Sequence, residues 1–382
     1  MPTALYAGNA SVGASARPQP QTADYATAGP FVRHARPASR PGYAATIAAP
    51  AAASQITQPL AAAPGYLRRL DITWALAAGT TTTAAFTADG PYNVASFVSF
   101  KDPWGTPVFA GPGYELFFLV PKYSGQLWLL GQADVSSLPS FSSVVAGTGA
   151  FTFRTALPLE TTKGYGVMSI GNASVLPTLS INTNPLASVL SGTLTTPGAL
   201  TLTVDEPYYD VDPAAPVEPP GLGTTTQWAV IQGNQSVPAN ATNRIQLPRT
   251  GGYLTTLILE VRDSTNARND TYVSGAGRIR LYIDGVPYLD ETYLETIDRM
   301  AGQFGGTSRP NGVIAYTFKD SMSQLSLGLL DTLETVLLTN PGTLLEIEAN
   351  PWGNGTNAPA TLYAIAGQLV PTGPIEQGLV EA

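Results

Sequence analysis

Cysteine is absent from this 382-residue chain, and histidine occurs once, as His34. The first absence excludes disulfides, thiol nucleophiles and cysteine-ligated metal sites. The second excludes zinc sites that are built from several histidines. A serine-hydrolase triad needs a histidine held on a rigid element. His34 lies in a stretch without any hydrophobic period, so we interpret it as a solvated or interface residue.

Charge is also scarce. Charged residues make up 12% of the chain, about half of the roughly 25% that is usual. The exposed surface must therefore consist largely of small and neutral polar residues, which is typical of proteins whose surface is covered by neighbours. The net charge of −8 argues against a protein that coats nucleic acid or reads its sequence, because such proteins are basic.

Membrane-spanning, export and nucleotide-binding signals are missing as well. No run of 18 apolar residues predicts a transmembrane helix. The first residues lack the basic and apolar regions of a signal peptide, so we expect synthesis in a cytoplasm. No Gly-x-x-x-x-Gly-Lys-Ser/Thr phosphate loop occurs. We predict that the protein is not an enzyme and has no catalytic residue, no cofactor and no metal site.

Alternation of apolar and polar residues with a period of two recurs from Tyr66 onward. This pattern predicts half-buried antiparallel strands, and 38 glycines and 33 prolines supply the turns between them. The fold class that these features indicate is all-β. The clearest alternating stretches are 72–76, 257–261, 278–283 and 345–348.

One stretch, 290–304, has the period of an amphipathic helix, with Asp290 as its predicted N-cap and Gly305-Gly306 at its end. In an all-β chain we expect this short helix to lie in a connection between two strands. Its predicted apolar face consists of Leu289, Leu294, Ile297, Met300 and Phe304.

Composition divides the chain into segments. Residues 1–64 are rich in Ala, Pro, Ser, Gln and Thr and predict an irregular N-terminal arm that orders against a neighbouring subunit or an inner surface. Residues 209–224 are acidic and proline-rich and predict a solvated linker, not a metal site. The remaining boundaries are a first β-sandwich at 65–208, a second at 225–372 and a tail at 373–382.

The two halves repeat short motifs in the same order, which predicts two similarly folded, tandem antiparallel β-sandwiches. The distance between matched motifs shrinks steadily along the chain, as extra loop residues in the first half would cause. The matches are Gly65–Leu70 with Gly252–Leu257, Gly105–Pro107 with Gly285–Pro287, Thr183–Pro185 with Thr339–Pro341, and the Gly-x-Leu-to-Pro spacing at Gly198, Leu200 and Pro207 with Gly342, Leu344 and Pro351.

These motifs resemble a known family over roughly residues 66–372. The stretches Asp89–Asn93, Phe97–Asp102, Gly105–Pro107 and Gly113–Leu116 resemble the first barrel of the double jelly-roll major capsid proteins. The stretch Asp284–Tyr288 and the helix after it resemble the second barrel. This family belongs to tailless icosahedral bacteriophages with an internal membrane, the tectivirus-like phages.

The resemblance implies a subunit of a viral shell and no catalytic motif. It implies self-assembly as homotrimers of pseudo-hexagonal outline that build an icosahedral capsid of the virion, after synthesis in the host cytoplasm. It also implies contacts with neighbouring capsomers, with minor capsid proteins and, through the N-terminal arm, with an underlying viral membrane.

Arginine outnumbers lysine by 15 to 4. Arginine is the cation preferred at interfaces, because its planar fork makes several hydrogen bonds and is weakly hydrated. We predict that Arg68, Arg69, Arg278 and Arg280 lie near interfaces between subunits.

Two other function classes and one other fold stay open at this point. A phage receptor-binding or fibre-associated β-protein shares the low charge, but it should have a shaft repeat or one head domain. A carbohydrate-binding or carbohydrate-hydrolysing sandwich should have an aromatic cleft with two close carboxylates. The tailed-phage capsid fold needs a long spine helix and ranks lower. The candidate acids for hydrolysis are Asp290, Glu291, Glu295 and Asp298.

Overall fold

A computed structural model defines the conformation of most of the chain. The residues that it describes are 31, 34–48, 50–63, 65–81, 83–124, 141–160, 164, 166–172, 174–192, 194–212, 218–219, 224–247, 252–304, 309–318, 337–338, 342–355 and 357–371.

Strands dominate both halves of the chain. Those of the first half are β1 Arg36–Ile47, β2 Gln55–Pro59, β3 Gly65–Leu67, β4 Arg69–Leu76, β5 Thr80–Thr81, β6 Ala85–Phe86, β7 Ala95–Lys101, β8 Pro107–Gly111, β9 Phe151–Pro158, β10 Met168–Ser169, β11 Thr178–Thr183, β12 Leu190–Ser191, β13 Leu194–Thr196 and β14 Leu200–Asp210. Those of the second half are β15 Thr224–Val237, β16 Asn243–Gln246, β17 Tyr253–Arg262, β18 Arg278–Ile283, β19 Val286–Thr292, β20 Val313–Thr317, β21 Leu337–Leu338, β22 Leu345–Asn350 and β23 Ala360–Pro371.

Helices are few and short in the described part of the chain. They are α1 Val120–Tyr123, α2 Leu186–Val189, α3 Thr271–Ser274 and α4 Tyr293–Phe304, together with a 3₁₀ turn at Tyr92–Val94 and a π-helical turn at Glu115–Leu119.

Each half contains two four-stranded arrays that share one apolar core. In the first half, β1-β14-β4-β9 and β2-β11-β7-β8 are hydrogen-bonded in these orders, and β3 and β10 extend the first array. Trp74 of β4 and Phe100 of β7 are fully buried in the same cluster. Alternation puts such residues on one face of each strand, so the two arrays bury their apolar faces against each other.

The second half repeats this strand order, strand for strand. Its arrays are β15-β23-β17-β20 and β16-β22-β18-β19. By position in the order, β15 corresponds to β1, β17 to β4, β18 to β7 and β19 to β8. The prediction of an all-β chain with two tandem antiparallel sandwiches is confirmed.

Two of the four sequence matches coincide with this structural repeat. Gly65 and Gly252 precede β4 and β17, and Gly105 and Gly285 turn the matched hairpins β7–β8 and β18–β19. Both turn glycines have positive φ, +88° and +77°, a conformation that other residues rarely adopt. The match of Gly105–Pro107 with Gly285–Pro287 therefore reflects the same turn conformation in two equivalent hairpins.

The other two matches are wrong. Pro207 lies within β14, whereas Pro351 follows β22, a strand that corresponds to β11. Thr183 ends β11, whereas residues 339–341 precede β22 and lie outside the described residues. Short Gly, Pro and Asn motifs recur by turn chemistry alone, so they do not mark equivalent positions.

The prediction of an irregular arm over 1–64 is wrong for its second part. β1 pairs with β14 from Arg36 to Ile47, and β2 pairs with β11. The first sandwich therefore begins at residue 36 and not at 65. β1 lacks a clear period-two pattern because it is an edge strand without a fully buried residue. An edge strand also tolerates prolines such as Pro37 and Pro41. Residues 1–30 lie outside the described residues.

The helix lies in the connection between β19 and β20, as predicted, but its start differs. α4 begins at Tyr293, and Asp290 belongs to β19. The Glu295 N–H donates to Thr292 Oγ1 at 3.3 Å, and the Thr292 N–H donates to Glu295 Oε2 at 2.7 Å. This reciprocal pair is a capping box. Leu294, assigned to the apolar face, is 71% exposed, and residues 305–306 lie outside the described residues.

We predict that Thr292→Ala lowers the free energy of unfolding by about 1 kcal/mol, because the first turn of α4 loses its capping oxygen. Thr292→Ser keeps that oxygen and should stay close to wild type. Thermal and denaturant unfolding of the two variants measure the difference. Equal stability of both variants would contradict the capping role.

Candidate assembly surfaces

The two sandwiches of one chain are joined strand to strand. β8 of the first runs parallel to β15 of the second, with Phe109 opposite Trp228 and Ala110 opposite Ala229. This pair fuses one array from each half into a nine-stranded sheet. Because Phe109 and Trp228 are both buried, the contact removes apolar surface of both sandwiches from water.

A helical segment after β8 completes this joint. The segment 113–124 includes the π-helical turn and α1, and all its residues are buried. The ring of Tyr123 packs edge-to-face on Phe304 of α4, with centroids 4.9 Å apart. A helix that is apolar on every side must be covered on every side. Here one side faces the first sandwich and the other faces the second.

Charged side chains lie at the edge of the same joint. Arg262 at the end of β17 donates from Nη1 to Asp89 Oδ2 at 2.7 Å and from Nη2 to Glu115 Oε1 at 3.3 Å. Arg268 donates from Nε to the other oxygen of Asp89 at 2.9 Å. Asp89 and Glu115 belong to the first half and both arginines to the second, so this network links the sandwiches.

Glu260 is the third carboxyl group of this network. It is fully buried and lies 2.9 Å from Arg262 Nη2, but neither of its oxygens has a hydrogen-bond partner in the described structure. Burial raises the pKa of Glu260 well above its ordinary value of 4.5, against the lowering effect of Arg262. Burial therefore favours the neutral form of Glu260, and the nearby Arg262 opposes that effect.

The matched surface on the second sandwich is open. α4 follows β19 directly, as the segment 113–124 follows β8. Yet β19 exposes Val286 and Tyr288, at 65% and 51%, and α4 exposes Leu294 at 71%. The core side of α4 consists of Thr296, Met300 and Phe304. The second sandwich covers β8 and the segment 113–124, whereas their counterparts β19 and α4 have exposed apolar side chains.

The other half of the joint also has an open counterpart, on the first sandwich. β15 is paired on both edges, by β8 and β23, whereas its counterpart β1 pairs with β14 alone among the described strands. On β17 the outward residues Ile258 and Glu260 are fully buried. On the matching strand β4, Asp71, the counterpart of Ile258, is also buried, whereas Thr73 and Ala75 are half-buried.

The arginines predicted at interfaces lie at both sandwiches and are engaged within the chain. The structure does not test their role between subunits. Arg68 bonds Glu160 at 2.6 Å, and Arg69 bonds Asp71 at 2.8 Å. Arg278 bonds Asp290 at 2.6 Å, and Arg280 bonds Glu348 at 3.1 Å.

Three of the four acids proposed for carbohydrate hydrolysis have structural partners, and the fourth, Asp298, lies on the exposed side of α4. Asp290 pairs with Arg278, and Glu291 accepts the Nε–H of Arg299 at 2.9 Å. Glu295 caps α4. Of the five tryptophans that could line an aromatic cleft, Trp74, Trp228 and Trp352 are buried, Trp104 is exposed at the tip of the β7–β8 hairpin, and Trp128 lies outside the described residues. The described residues include no group of three acids or histidines placed to hold a metal ion.

None of the described helices is both long and apolar enough to cross a bilayer.

Comparison with solved structures identifies the architecture. The chain matches the atomic structure of Sulfolobus Turreted Icosahedral Virus with a TM-score of 0.59 at 15% identity, over 88% of this chain and 91% of the matched chain. It matches the capsid of the virus PBCV-1 with a TM-score of 0.56 at 11% identity, over 88% and 93%.

A third match is the major capsid protein of bacteriophage PM2, with a TM-score of 0.50 at 10% identity, over 88% of this chain and 98% of that one. The chain has the double jelly-roll fold of viral major capsid proteins. No protein-family profile and no curated protein sequence matches it. At such low identity these matches establish the fold.

The residues of the joint escaped the sequence analysis. Glu115 stands alone in the apolar run 114–120, and Glu260 and Arg262 alternate with Leu259 and Val261. Each pattern reads as an ordinary strand or helix. The matched hairpin glycines Gly105 and Gly285 could have identified them, because their spacing of 180 residues aligns 113–124 with α4 residue for residue. The segment 113–124 is much more apolar than α4, which indicates that the first is covered and the second is exposed.

We predict that Arg262→Ala lowers the free energy of unfolding by about 3–5 kcal/mol, because it leaves buried carboxylates without their counter-charge. Arg278→Ala removes an exposed pair and should cost less than about 1 kcal/mol. Denaturant unfolding measures both. A loss for Arg262→Ala no larger than that for Arg278→Ala would contradict the joint's ionic account.

Glu260→Gln tests the protonation state in the joint. With a raised pKa, the folded chain keeps a proton that the unfolded chain releases above its ordinary pKa of 4.5. This group's contribution to stability is therefore full at acid pH and is lost as the pH rises toward the folded pKa. Glu260→Gln should remove that part of the pH dependence. Melting temperatures from pH 4 to 8 that decline in parallel with wild type would contradict it.

Proposed function

We propose that the chain is the major capsid subunit of an icosahedral virus and works by assembling with copies of itself. The observation that carries the proposal is the repeated joint. Inside the chain, β8 and the segment 113–124 are covered by the second sandwich. In the described part of the chain, their counterparts β19 and α4 expose apolar side chains. At the other end, β1, the counterpart of β15, has one unpaired edge, and Thr73 and Ala75 of β4, the counterpart of β17, are half-buried. The fold of viral major capsid proteins supports the same function.

Such a molecule has two different surfaces, β19 with α4 and β1 with β4, that correspond to the two sides of the internal contact. Contacts of this head-to-tail kind either close into rings or continue as filaments. If the sandwich-to-sandwich rotation is about one sixth of a turn, three copies close a ring of six sandwiches. We therefore propose a homotrimer with a pseudo-hexagonal outline, an outline that tiles a shell.

The low charge of the chain supports extensive contact between copies. The core of a protein interface excludes charge, and only 12% of the residues here are charged. Many of the described arginines are paired within the chain, as Arg68 and Arg69 are. The surface offered to neighbours is thus mainly neutral.

Further parts of the proposal rest on the fold family and the composition. We propose a virion location after synthesis in the host cytoplasm, a bacteriophage source and no enzymatic activity. Minor capsid proteins and an underlying membrane, the latter reached by the N-terminal residues, are proposed as partners. The interface role of Arg68, Arg69, Arg278 and Arg280 and the 373–382 tail remain predictions. The 209–224 linker is too long at both ends, because β14 runs to Asp210 and β15 begins at Thr224; a linker within 211–223 remains a prediction.

A fibre-associated role finds less support. That alternative expects a shaft repeat or a single head domain, whereas the chain consists of two sandwiches with the same strand order. No comparable observation favours carbohydrate hydrolysis, because three of its four candidate acids bond to an arginine or cap a helix.

Native mass spectrometry of the purified chain tests the proposed function. We expect a species of three times the 39.9 kDa chain mass, and shell-like particles by electron microscopy at higher concentration. Because several long contacts would close at once, the oligomer should survive dilution to nanomolar concentration. A chain that stays monomeric at high concentration contradicts the proposed function.

A further inference from the structure

The two arginines of the joint stand on one closed loop of the second sandwich. Arg262 ends β17, and Arg268 lies opposite it in an isolated antiparallel bridge. The loop between them, 263–267, is closed by a hydrogen bond from the Asp263 N–H to the Ala267 carbonyl at 2.9 Å. Both guanidinium groups therefore leave the second sandwich from one short turn.

The side chain of Asp263 holds this loop together. Its Oδ1 accepts the N–H and the Oγ1–H of Thr265, at 2.9 and 2.6 Å, and the N–H of Ala267 at 3.2 Å. Its Oδ2 accepts the side-chain amides of Asn269 and Asn357, at 3.3 and 3.2 Å. Burial alone would raise the pKa of Asp263, but hydrogen bonds to the carboxylate outweigh burial and lower the pKa to about 2. The carboxylate therefore stays ionised, and the loop stays closed, at ordinary pH.

Both arginines bind one carboxylate of the first sandwich. Arg262 Nη1 lies 2.7 Å from Asp89 Oδ2, and Arg268 Nε lies 2.9 Å from Asp89 Oδ1. Arg268 also donates from Nη2 to the carbonyl of Ala88, and its guanidinium lies 4.5 Å from the ring centroid of Tyr114. Both arginine side chains are buried, and charge-assisted hydrogen bonds in a buried site are stronger and more directional than exposed ion pairs.

The other contacts of the joint constrain the angle between the sandwiches less. β8 and β15 are paired at two positions, Phe109 with Trp228 and Ala110 with Ala229. The apolar packing of the segment 113–124 keeps the sandwiches together, but apolar attraction is non-directional. Arg262 lies on β17, two strands from β15 in the nine-stranded sheet, or about 10 Å at the usual strand spacing. A directional contact at that distance from a short strand pair resists rotation about it.

Resting on the proposed function, we propose that Arg262, Arg268 and Asp89 form a clamp that sets the rotation between the two sandwiches and thereby allows the ring to close. Asp263 is a positioning residue of this clamp, because its carboxylate holds the loop of both arginines through bonds within the second half. A ring of three copies contains the internal angle three times, so an error in that angle is repeated around the ring. A clamp that fixes the angle before assembly also lowers the entropy that assembly must remove.

Pulsed electron paramagnetic resonance of two spin labels tests the role of the clamp, because the chain has no cysteine of its own. Ser96→Cys on β7 and Gln246→Cys on β16 place one label on an exposed position of each sandwich. A large excess of unlabelled chain keeps labels of different copies apart. With the clamp intact, we expect one narrow distribution of the distance between the labels.

Arg268→Ala and Asp263→Ala should each roughly double the width of that distribution, because the remaining apolar contacts hold the angle less firmly. Each should also lower the trimer fraction in native mass spectrometry roughly fivefold, in favour of open or mixed oligomers. Thr183→Ala is the control: it removes a buried hydroxyl that bonds Ser54 within the first sandwich, and it should leave width and trimer fraction unchanged. Asp89→Asn, which changes the shape of the clamp least, gives the same reading if Arg268→Ala does not fold.

The outcomes separate the clamp from the function on which its role in the ring rests. A distribution that stays as narrow as wild type in the clamp variants, or that Thr183→Ala broadens equally, overturns the inference whatever the oligomer does. Broadened distributions with an unchanged trimer fraction overturn the role in ring closure and leave the proposed function intact. A wild-type chain that forms no oligomer overturns the proposed function and the ring, whereas the spin labels still decide whether the clamp sets the angle.

Discussion

The structure depends on covering the helical segment 113–124. Its residues are buried on every side, and a single sandwich can cover only one side of a helix. The second sandwich covers the other side and brings Arg262 to Asp89 and Glu115. The two sandwiches consequently form one body with one continuous apolar core. The covering also brings β8 beside β15 and so fuses two arrays into one sheet.

The two similar sandwiches of the chain make one contact with each other, which leaves the matching side of each sandwich without that contact. Among the described residues, no strand pairs with the second edge of β1 as β8 pairs with β15, and no element covers α4 as the second sandwich covers 113–124. Each end has adapted to water: β1 contains two prolines, which discourage strand addition on an open edge, and α4 is amphipathic. Both features limit the apolar surface and the free strand edge that these two ends expose. Low overall charge then suits a surface that is hidden after assembly.

Much of this architecture could be predicted from local patterns. Period-two stretches located β4, β17, β18 and β22, and the hairpin glycines Gly105 and Gly285 identified the repeat, because a positive φ is written directly into the residue type. β1 could not be found in this way, since an edge strand buries little and its burial depends on strands distant in sequence. Asp290 was misassigned as a cap for a similar reason, because its strand pairing with Arg280 prevails over its local helix preference.

The joint itself was beyond local reasoning. Asp89, Glu115 and Arg262 come together across more than 140 residues of chain, and no short motif encodes such a meeting. The four arginines singled out for interfaces were chosen by residue type alone, and each proved to have an acidic partner within the chain. The residue type indicates that an arginine forms hydrogen bonds and ion pairs, but it does not identify the partner of each arginine.

The central claim is that one contact, made once inside the chain, is made again between chains. A cryo-electron microscopy map of the assembled oligomer tests it most directly, by superposition of the internal joint on the contact between copies. The account predicts that α4 of one copy lies over β4 of the next in the orientation that 113–124 adopts over β17. A well-resolved oligomer in which α4 faces solvent, or in which copies meet through β2 or β16 instead, would contradict it.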